Sequence, residues 1–66
     1  LGGTVLSIDQ DASSVTLQMP SGEPRLFVLV DQRLLRNVAI GDHVTFELNE
    51  AAQITKLVKL PTDPAN

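Results

Sequence analysis

The chain has 66 residues, with eight acidic and five basic side chains and a net charge of −3 at pH 7. This length allows one small domain, and the lack of cysteine excludes disulfides, thiolate metal sites and a cysteine nucleophile. The acidic balance argues against a nucleic-acid partner, because such proteins usually carry a basic face. No apolar run approaches the roughly 20 residues of a membrane-spanning helix, so we expect no membrane insertion. Since the chain begins at Leu1, we expect it to be part of a larger protein.

Five segments have the composition of β-strands. Thr4–Ile8 and Val15–Met19 alternate apolar and polar residues, the pattern of a strand with one buried face. Leu26–Val30 is apolar throughout, which is typical of a central strand covered on both faces. Val44–Leu48 alternates again, whereas Ile54–Leu60 fits neither the helical nor the strand period, and its β-branched residues favour a strand.

Polar segments connect these predicted strands. Asp9–Ser14 and Asn49–Gln53 are each suited to a hairpin loop, because their side chains bond nearby backbone groups. Pro20–Pro24 is expected to interrupt strand pairing, since proline cannot donate a backbone hydrogen bond. Gly41 and Asp42 predict a turn before the fourth strand.

A short helix is predicted between the third and fourth strands. Asp31 suits the N-cap position, where its carboxylate accepts from free amides of the first turn. Gln32–Arg36 then forms one to two turns that present Leu34 and Leu35, and Asn37 ends them in a left-handed conformation.

The order of elements predicts an all-β fold, a small five-stranded OB-like barrel with one short helical turn between strands 3 and 4. The barrel is expected over residues 1–60, with a flexible tail at 61–66. The residues predicted to face inward are Leu6, Ile8, Val15, Leu17, Val28, Val30, Val44, Phe46 and Leu48, with Phe27 and Leu29 covered by the helix or a partner. Because Leu26–Val30 is apolar on both faces, we also expect self-association or a protein partner.

Several segments together are similar to those of a known family. They are Gly3–Asp9, Val15–Leu17, Phe27–Asp31, Leu34–Leu35, Gly41–Leu48 and Ile54–Thr55. The chain resembles the CusF-type periplasmic copper- and silver-binding domains over nearly its whole length. The resemblance implies the OB-like barrel, a periplasmic or secreted location and a connection with Cu(I) or Ag(I) transport.

The metal-binding motif of that family is mostly missing from this chain. The family uses a histidine at the end of strand 2, a Met-Thr-Met at the start of strand 3 and a nearby tryptophan. Alignment on Phe27 places Glu23, Pro24 and Arg25 at the Met-Thr-Met and Met19 at the histidine, and the chain has no tryptophan. Soft cations need soft or imidazole ligands, so we expect no cofactor and no Cu(I) or Ag(I) binding of the family type.

The remaining candidate residues each have a simpler alternative. Met19 is a candidate soft ligand but also suits a core position at the end of a strand. His43 is a further candidate, although its place after a turn predicts an exposed side chain, and one histidine alone does not make a metal site. A candidate basic face, weighed against an ordinary solvated surface, consists of Arg25, Arg33, Arg36, Lys56 and Lys59.

These observations leave three functional hypotheses open. The first is a CusF-like accessory or interaction domain of a larger secreted or efflux-associated protein, without the metal site. The second is an OB-type barrel that binds an oligonucleotide or another ligand through the basic face. The third is Cu(I) or Ag(I) binding through a rearranged site. An enzyme is not expected, because a single histidine and no cysteine leave no catalytic constellation. The fold alone does not choose among them, since small barrels host many functions.

Overall fold

The computed structural model describes residues 1–61, which form five β-strands and one short 3-10 helix. In chain order these are β1 (Gly2–Asp9), β2 (Ser14–Gln18), β3 (Pro24–Val28), the 3-10 helix (Gln32–Leu35), β4 (His43–Leu48) and β5 (Ile54–Lys59). The predicted all-β class and the order of elements are confirmed. The predicted tail lies outside the described residues, apart from Pro61. Within the described range, no helix is long and apolar enough to cross a membrane.

The strands form one sheet in the order β3-β2-β1-β4-β5, with antiparallel neighbours throughout. The prediction that Leu26–Val30 forms a central strand is therefore wrong, because β3 is an edge strand. Over residues 1–61 the sheet is not closed into a barrel. A single parallel bridge between Leu29 and Ile54 brings its two edges together, and the Val30 N–H donates to the Ile54 carbonyl oxygen at 3.0 Å.

A compact apolar core lies on the inner face of the sheet. Its buried members are Val5, Val15, Leu17, Phe27, Leu29, Leu35, Val44, Phe46 and Ile54. The rings of Phe27 and Phe46 pack at a centroid distance of 5.2 Å with a tilt of 51°, a geometry that aromatic pairs favour. The inward orientation of Val15, Leu17, Val44 and Phe46 is confirmed. Phe27 and Leu29 are buried, but as members of this core.

The predicted inward orientation of Leu6 is wrong because β1 contains a bulge. Val5 pairs with Leu17 and Ser7 pairs with Thr16, so that Leu6 is the extra residue between them. A bulge changes the alternation of a strand. As a result Val5 is buried, Leu6 is 41% exposed and Ile8 packs partly buried against the core.

The predicted inward orientation of Val28 and Val30 is also wrong. Phe27 and Leu29 point into the core, so the intervening residues of this strand and its extension point outward. The apolar run does not reveal which of its two faces is buried, because both carry apolar side chains.

A second bulge explains the irregular pattern of the last strand. Glu47 pairs with Lys56 and Leu48 pairs with Ile54, so Thr55 is the extra residue. Ile54 is therefore buried and Leu57 packs against the core three residues later. The predicted strand is confirmed, and Leu48 is partly buried against the core.

The prediction that the Pro20–Pro24 segment interrupts strand pairing is wrong, because β2 and β3 pair up to this segment. The Met19 N–H donates to the Glu23 carbonyl oxygen at 2.8 Å, and Pro24 pairs with Gln18 as the first residue of β3. Proline is tolerated there because an edge strand does not need every N–H for its ladder.

The predicted short helix is confirmed as a single 3-10 turn. The Asp31 carboxylate accepts from the Arg33 N–H at 2.9 Å as the N-cap, and Asn37 follows the turn at a φ of 70°. Leu35 is buried and Leu34 packs partly buried against the core. The predicted turn is present as well, with Gly41 at a φ of 94°.

Candidate functional site

An open groove of about 500 Å³ lies where the ends of β1, β2 and β4 meet. Its lining residues are Gly2, Gly3, Thr4, Gln18, Met19, Pro20, Gly22, His43, Val44 and Leu60. The three glycines add no side chain to its walls. The surface is therefore apolar along Met19, Pro20 and Leu60 and polar at Thr4 and His43.

The polar end of the groove is held by strand pairing. Thr4 and His43 are register partners of β1 and β4, and a hydrogen bond joins Thr4 Oγ1 and His43 Nδ1 at 3.0 Å. The side chain of His43 is exposed, as the sequence predicts. The register thus gives the imidazole a fixed neighbour at the rim of the groove.

The structure brings the two candidate metal ligands to this one groove. Met19 follows β2 and His43 begins β4, and both line its walls. Met19 also packs partly buried against the core, which is the simpler role considered for it. Within residues 1–61 no group of three or more histidine or carboxylate side chains is placed to hold a metal ion.

Arg25 does not line the groove. Its guanidinium carbon lies 5.5 Å from the centroid of the Phe27 ring, a distance at which a cation is attracted to the face of an aromatic ring. Arg25 is paired in register with Leu17 of β2. The charge of Arg25 therefore lies beside Phe27 at the β3 edge of the sheet.

The candidate basic residues are spread over β3, the helical turn and β5, and three of them have carboxylate partners. Arg33 Nη2 lies 2.7 Å from Asp31 Oδ2. Lys59 Nζ lies 3.5 Å from Asp42 Oδ2, and Lys56 Nζ lies 3.9 Å from Glu47 Oε2. Arg36 is exposed after the helical turn. The positive charge of three members of this candidate face is thus offset by neighbouring acids.

The Asp31–Arg33 pair shifts the pKa values of both of its members. Hydrogen bonds from the Arg33 side chain, then from its backbone N–H, lower the pKa of Asp31 to about 2. The same carboxylate raises the pKa of Arg33. Arg33 lies exposed in the helical turn and Asp31, which is partly exposed, is its N-cap, so their interaction stabilises that turn locally.

A separate apolar surface lies on the outer face of β3. Leu26, Val28 and Val30 are 67%, 45% and 51% exposed and alternate along the strand and its extension. We call them the β3 stripe. The apolar run Leu26–Val30 was the sequence signal for the β3 stripe. The run alone did not show that this strand lies at the edge of the sheet.

No protein-family model, curated protein or solved structure matches the chain.

Proposed function

We propose that the chain is a non-catalytic accessory or interaction domain that uses the β3 stripe as a contact surface. The observation that carries this proposal is the exposure of three large apolar side chains on one face of an edge strand. Contiguous exposed apolar surface of this kind marks interaction sites in soluble proteins. An edge strand in addition presents backbone groups that can pair with another chain.

The proposal includes an OB-like barrel as the architecture. It is supported by the strand order, by the helical turn between β3 and β4, and by the parallel bridge from Leu29 to Ile54. Five strands whose two edges approach each other are the arrangement of a partly open barrel of this type. The CusF-type resemblance leads to the same architecture and to a periplasmic or secreted setting within a larger protein.

The proposal excludes metal binding of the CusF type. In the alignment on Phe27, Glu23 and Arg25 stand at the two methionine positions of the family and Pro24 stands at the threonine. Pro24 begins β3, and Arg25 lies over the Phe27 ring. The third hypothesis, Cu(I) or Ag(I) binding through a rearranged site, is favoured by one observation, the shared groove of Met19 and His43. Two soft or imidazole donors are fewer than a tight site for these ions requires.

Fluorescence of the dye bis-ANS, which binds exposed apolar surface, tests the contact surface. We expect the native protein to bind the dye and the Leu26→Thr/Val28→Thr/Val30→Thr variant to lose most of that binding. The matched control is Ile40→Thr, because Ile40 is 69% exposed and lies in the segment before β4, outside the β3 stripe. Circular dichroism verifies that each variant is folded. Dye binding that is unchanged in the stripe variant would contradict the proposal.

A further inference from the structure

The segment of residues 30–40 joins β3 to β4 and contains the 3-10 turn. We call it the strap. On each side of it lies a residue whose amide is bonded to a distant part of the chain. The Leu29 N–H donates to the Ser13 carbonyl oxygen at 2.7 Å. The Gly41 N–H donates to the Val5 carbonyl oxygen at 2.8 Å. Both ends of the strap are therefore fixed to the fold.

Within residues 1–61, one backbone hydrogen bond ties the strap itself to another strand. The Val30 N–H donates to the Ile54 carbonyl oxygen at 3.0 Å, beside the parallel bridge of Leu29 with Ile54. We call this bond the latch. The other backbone bonds that strap residues donate are local, such as the one from the Leu34 N–H to the Asp31 carbonyl oxygen. Neighbouring strands, by contrast, pair over three to five residues.

Side-chain packing supplies the second attachment of the strap. Leu35 is 3% exposed, and Leu34 and Val38 pack partly buried against the core. The ion pair of Asp31 with Arg33 lies inside the strap and does not attach it to another element. The strap is therefore held between its ends by the latch and by apolar contacts centred on Leu35.

We infer that the strap opens as a unit while the five-stranded sheet stays paired. Local opening occurs where a segment has few backbone hydrogen bonds and few buried apolar contacts to the rest of the fold. Opening breaks the latch and withdraws Leu35 from the core, but it separates no two neighbouring strands of the sheet. Burial of Leu35 opposes the opening, so the closed strap predominates and the open strap is the minor state.

An open strap changes the surface that the molecule presents. The 3-10 turn contacts β5, so withdrawal of Leu35 exposes apolar core surface at that strand. It also frees the Val30 N–H and the Ile54 carbonyl oxygen at the two edges of the sheet. Val30 belongs to the β3 stripe as well, so the strap and the proposed contact surface meet at this residue. The opening goes beyond the proposed function, because it is a property of the chain alone and does not require the stripe to bind a partner.

Amide hydrogen exchange followed by NMR at increasing urea concentration tests the strap in the unmodified chain. The Val30 amide reports the latch, and the amide of the adjacent Leu29, bonded to Ser13, is the matched reference. After correction for intrinsic rates, we expect the Val30 amide to exchange about tenfold faster or more, as a local opening allows. Its exchange should also depend less on urea, because a local opening exposes little surface. Equal protection and equal urea dependence of the two amides overturn the inference.

Two variants separate opening of the whole strap from fraying of the latch alone. Leu35→Ala removes the buried anchor, so we expect exchange of the Val30 amide to accelerate about tenfold or more. Gly3→Ala is the control, because it crowds β1 against β2. It should accelerate the amides of β2 and leave the Val30 amide unchanged.

A Val30 amide that is unaffected by Leu35→Ala, or that accelerates with β2 in Gly3→Ala, overturns the inference. If Leu35→Ala does not fold, the smaller change Leu35→Val carries the same test with a smaller expected acceleration. Dye binding to the β3 stripe is measured separately, so loss of the proposed contact surface and loss of the strap opening are distinguishable results.

Discussion

At the scale of single residues, Asp31 illustrates how one side chain starts the only helical turn in residues 1–61. Its carboxylate accepts from the Arg33 N–H at 2.9 Å and from Arg33 Nε at 3.0 Å. The first bond satisfies an amide at the beginning of the turn, and the second fixes the guanidinium over the cap. This interaction is local in sequence, which is why the N-cap could be predicted from the sequence.

The pKa of Asp31 leads to a prediction about stability and pH. The group has a pKa of about 2 in the folded chain and an ordinary value of about 3.9 when unfolded. Its contribution is therefore present above about pH 4 and is lost as the pH falls through about 2. We expect the thermal midpoint of Asp31→Asn to fall less steeply over this range than that of the unmodified protein. The effect is small, because the pair is exposed to solvent.

Thermal melts monitored by circular dichroism between pH 2 and 5 measure this difference. Asparagine keeps an oxygen for the Arg33 N–H but does not ionise, so the comparison isolates the charge. Asp11→Asn, in the exposed loop between β1 and β2, is the matched control. Parallel midpoint curves for Asp31→Asn and the unmodified protein would contradict the prediction.

At the scale of elements, the two bulges decide which side chains face the core. Each bulge inserts one residue, Leu6 in β1 and Thr55 in β5. Inward positions are consequently three residues apart, as they are for Ile54 and Leu57. A simple period of two therefore misplaces Leu6, whereas it succeeds in β2 and β4.

Gly3 gives a prediction for the pairing of β1 with β2. A Cβ at this position would lie 3.1 Å from the Gln18 carbonyl oxygen and 3.3 Å from Leu17 Cβ. Both neighbours belong to the adjacent strand, and Leu17 is fully buried. We expect Gly3→Ala to destabilise the fold by about 1–3 kcal/mol, as overpacking does. Urea unfolding measures the change.

Gly2→Ala is the matched control on the same strand. A Cβ at Gly2 would have the Val44 carbonyl oxygen as its near neighbour, at an ordinary distance of 3.5 Å. We expect this substitution to change the free energy of unfolding by no more than about 0.5 kcal/mol. Equal stability of the two variants would mean that β1 and β2 can separate enough to admit the methyl group at Gly3.

At the scale of the whole molecule, folding places Met19 and His43 on one groove although they are far apart in sequence. They remain two donors, so we expect no rise in the thermal midpoint when excess Ag(I) is added. Tight binding to the folded state would raise the midpoint by mass action. Melts with and without Ag(I) make the measurement, and Met19→Leu is the control of similar size. A rise of several degrees that disappears in Met19→Leu would restore the metal hypothesis.

The sequence by itself determined the elements of this protein whose causes are local. Alternation identified β1, β2 and β4, a short apolar run identified β3, and β-branched residues identified β5. The Asp31 cap identified the helical turn, and Gly41 identified the turn before β4. The sequence also identified Met19 and His43 as candidate metal ligands, but it did not show that they line the same groove.

Only the tertiary structure decided the features that depend on which strands are neighbours. The apolar run of β3 has the same composition whether it is central or at an edge, so its exposed stripe followed from the sheet order. The bulge at Leu6 arises from the pairing of β1 with β2, and the groove arises where β1, β2 and β4 meet. Long-range pairing sets these features because a strand's register is fixed by its partner as much as by its own residues.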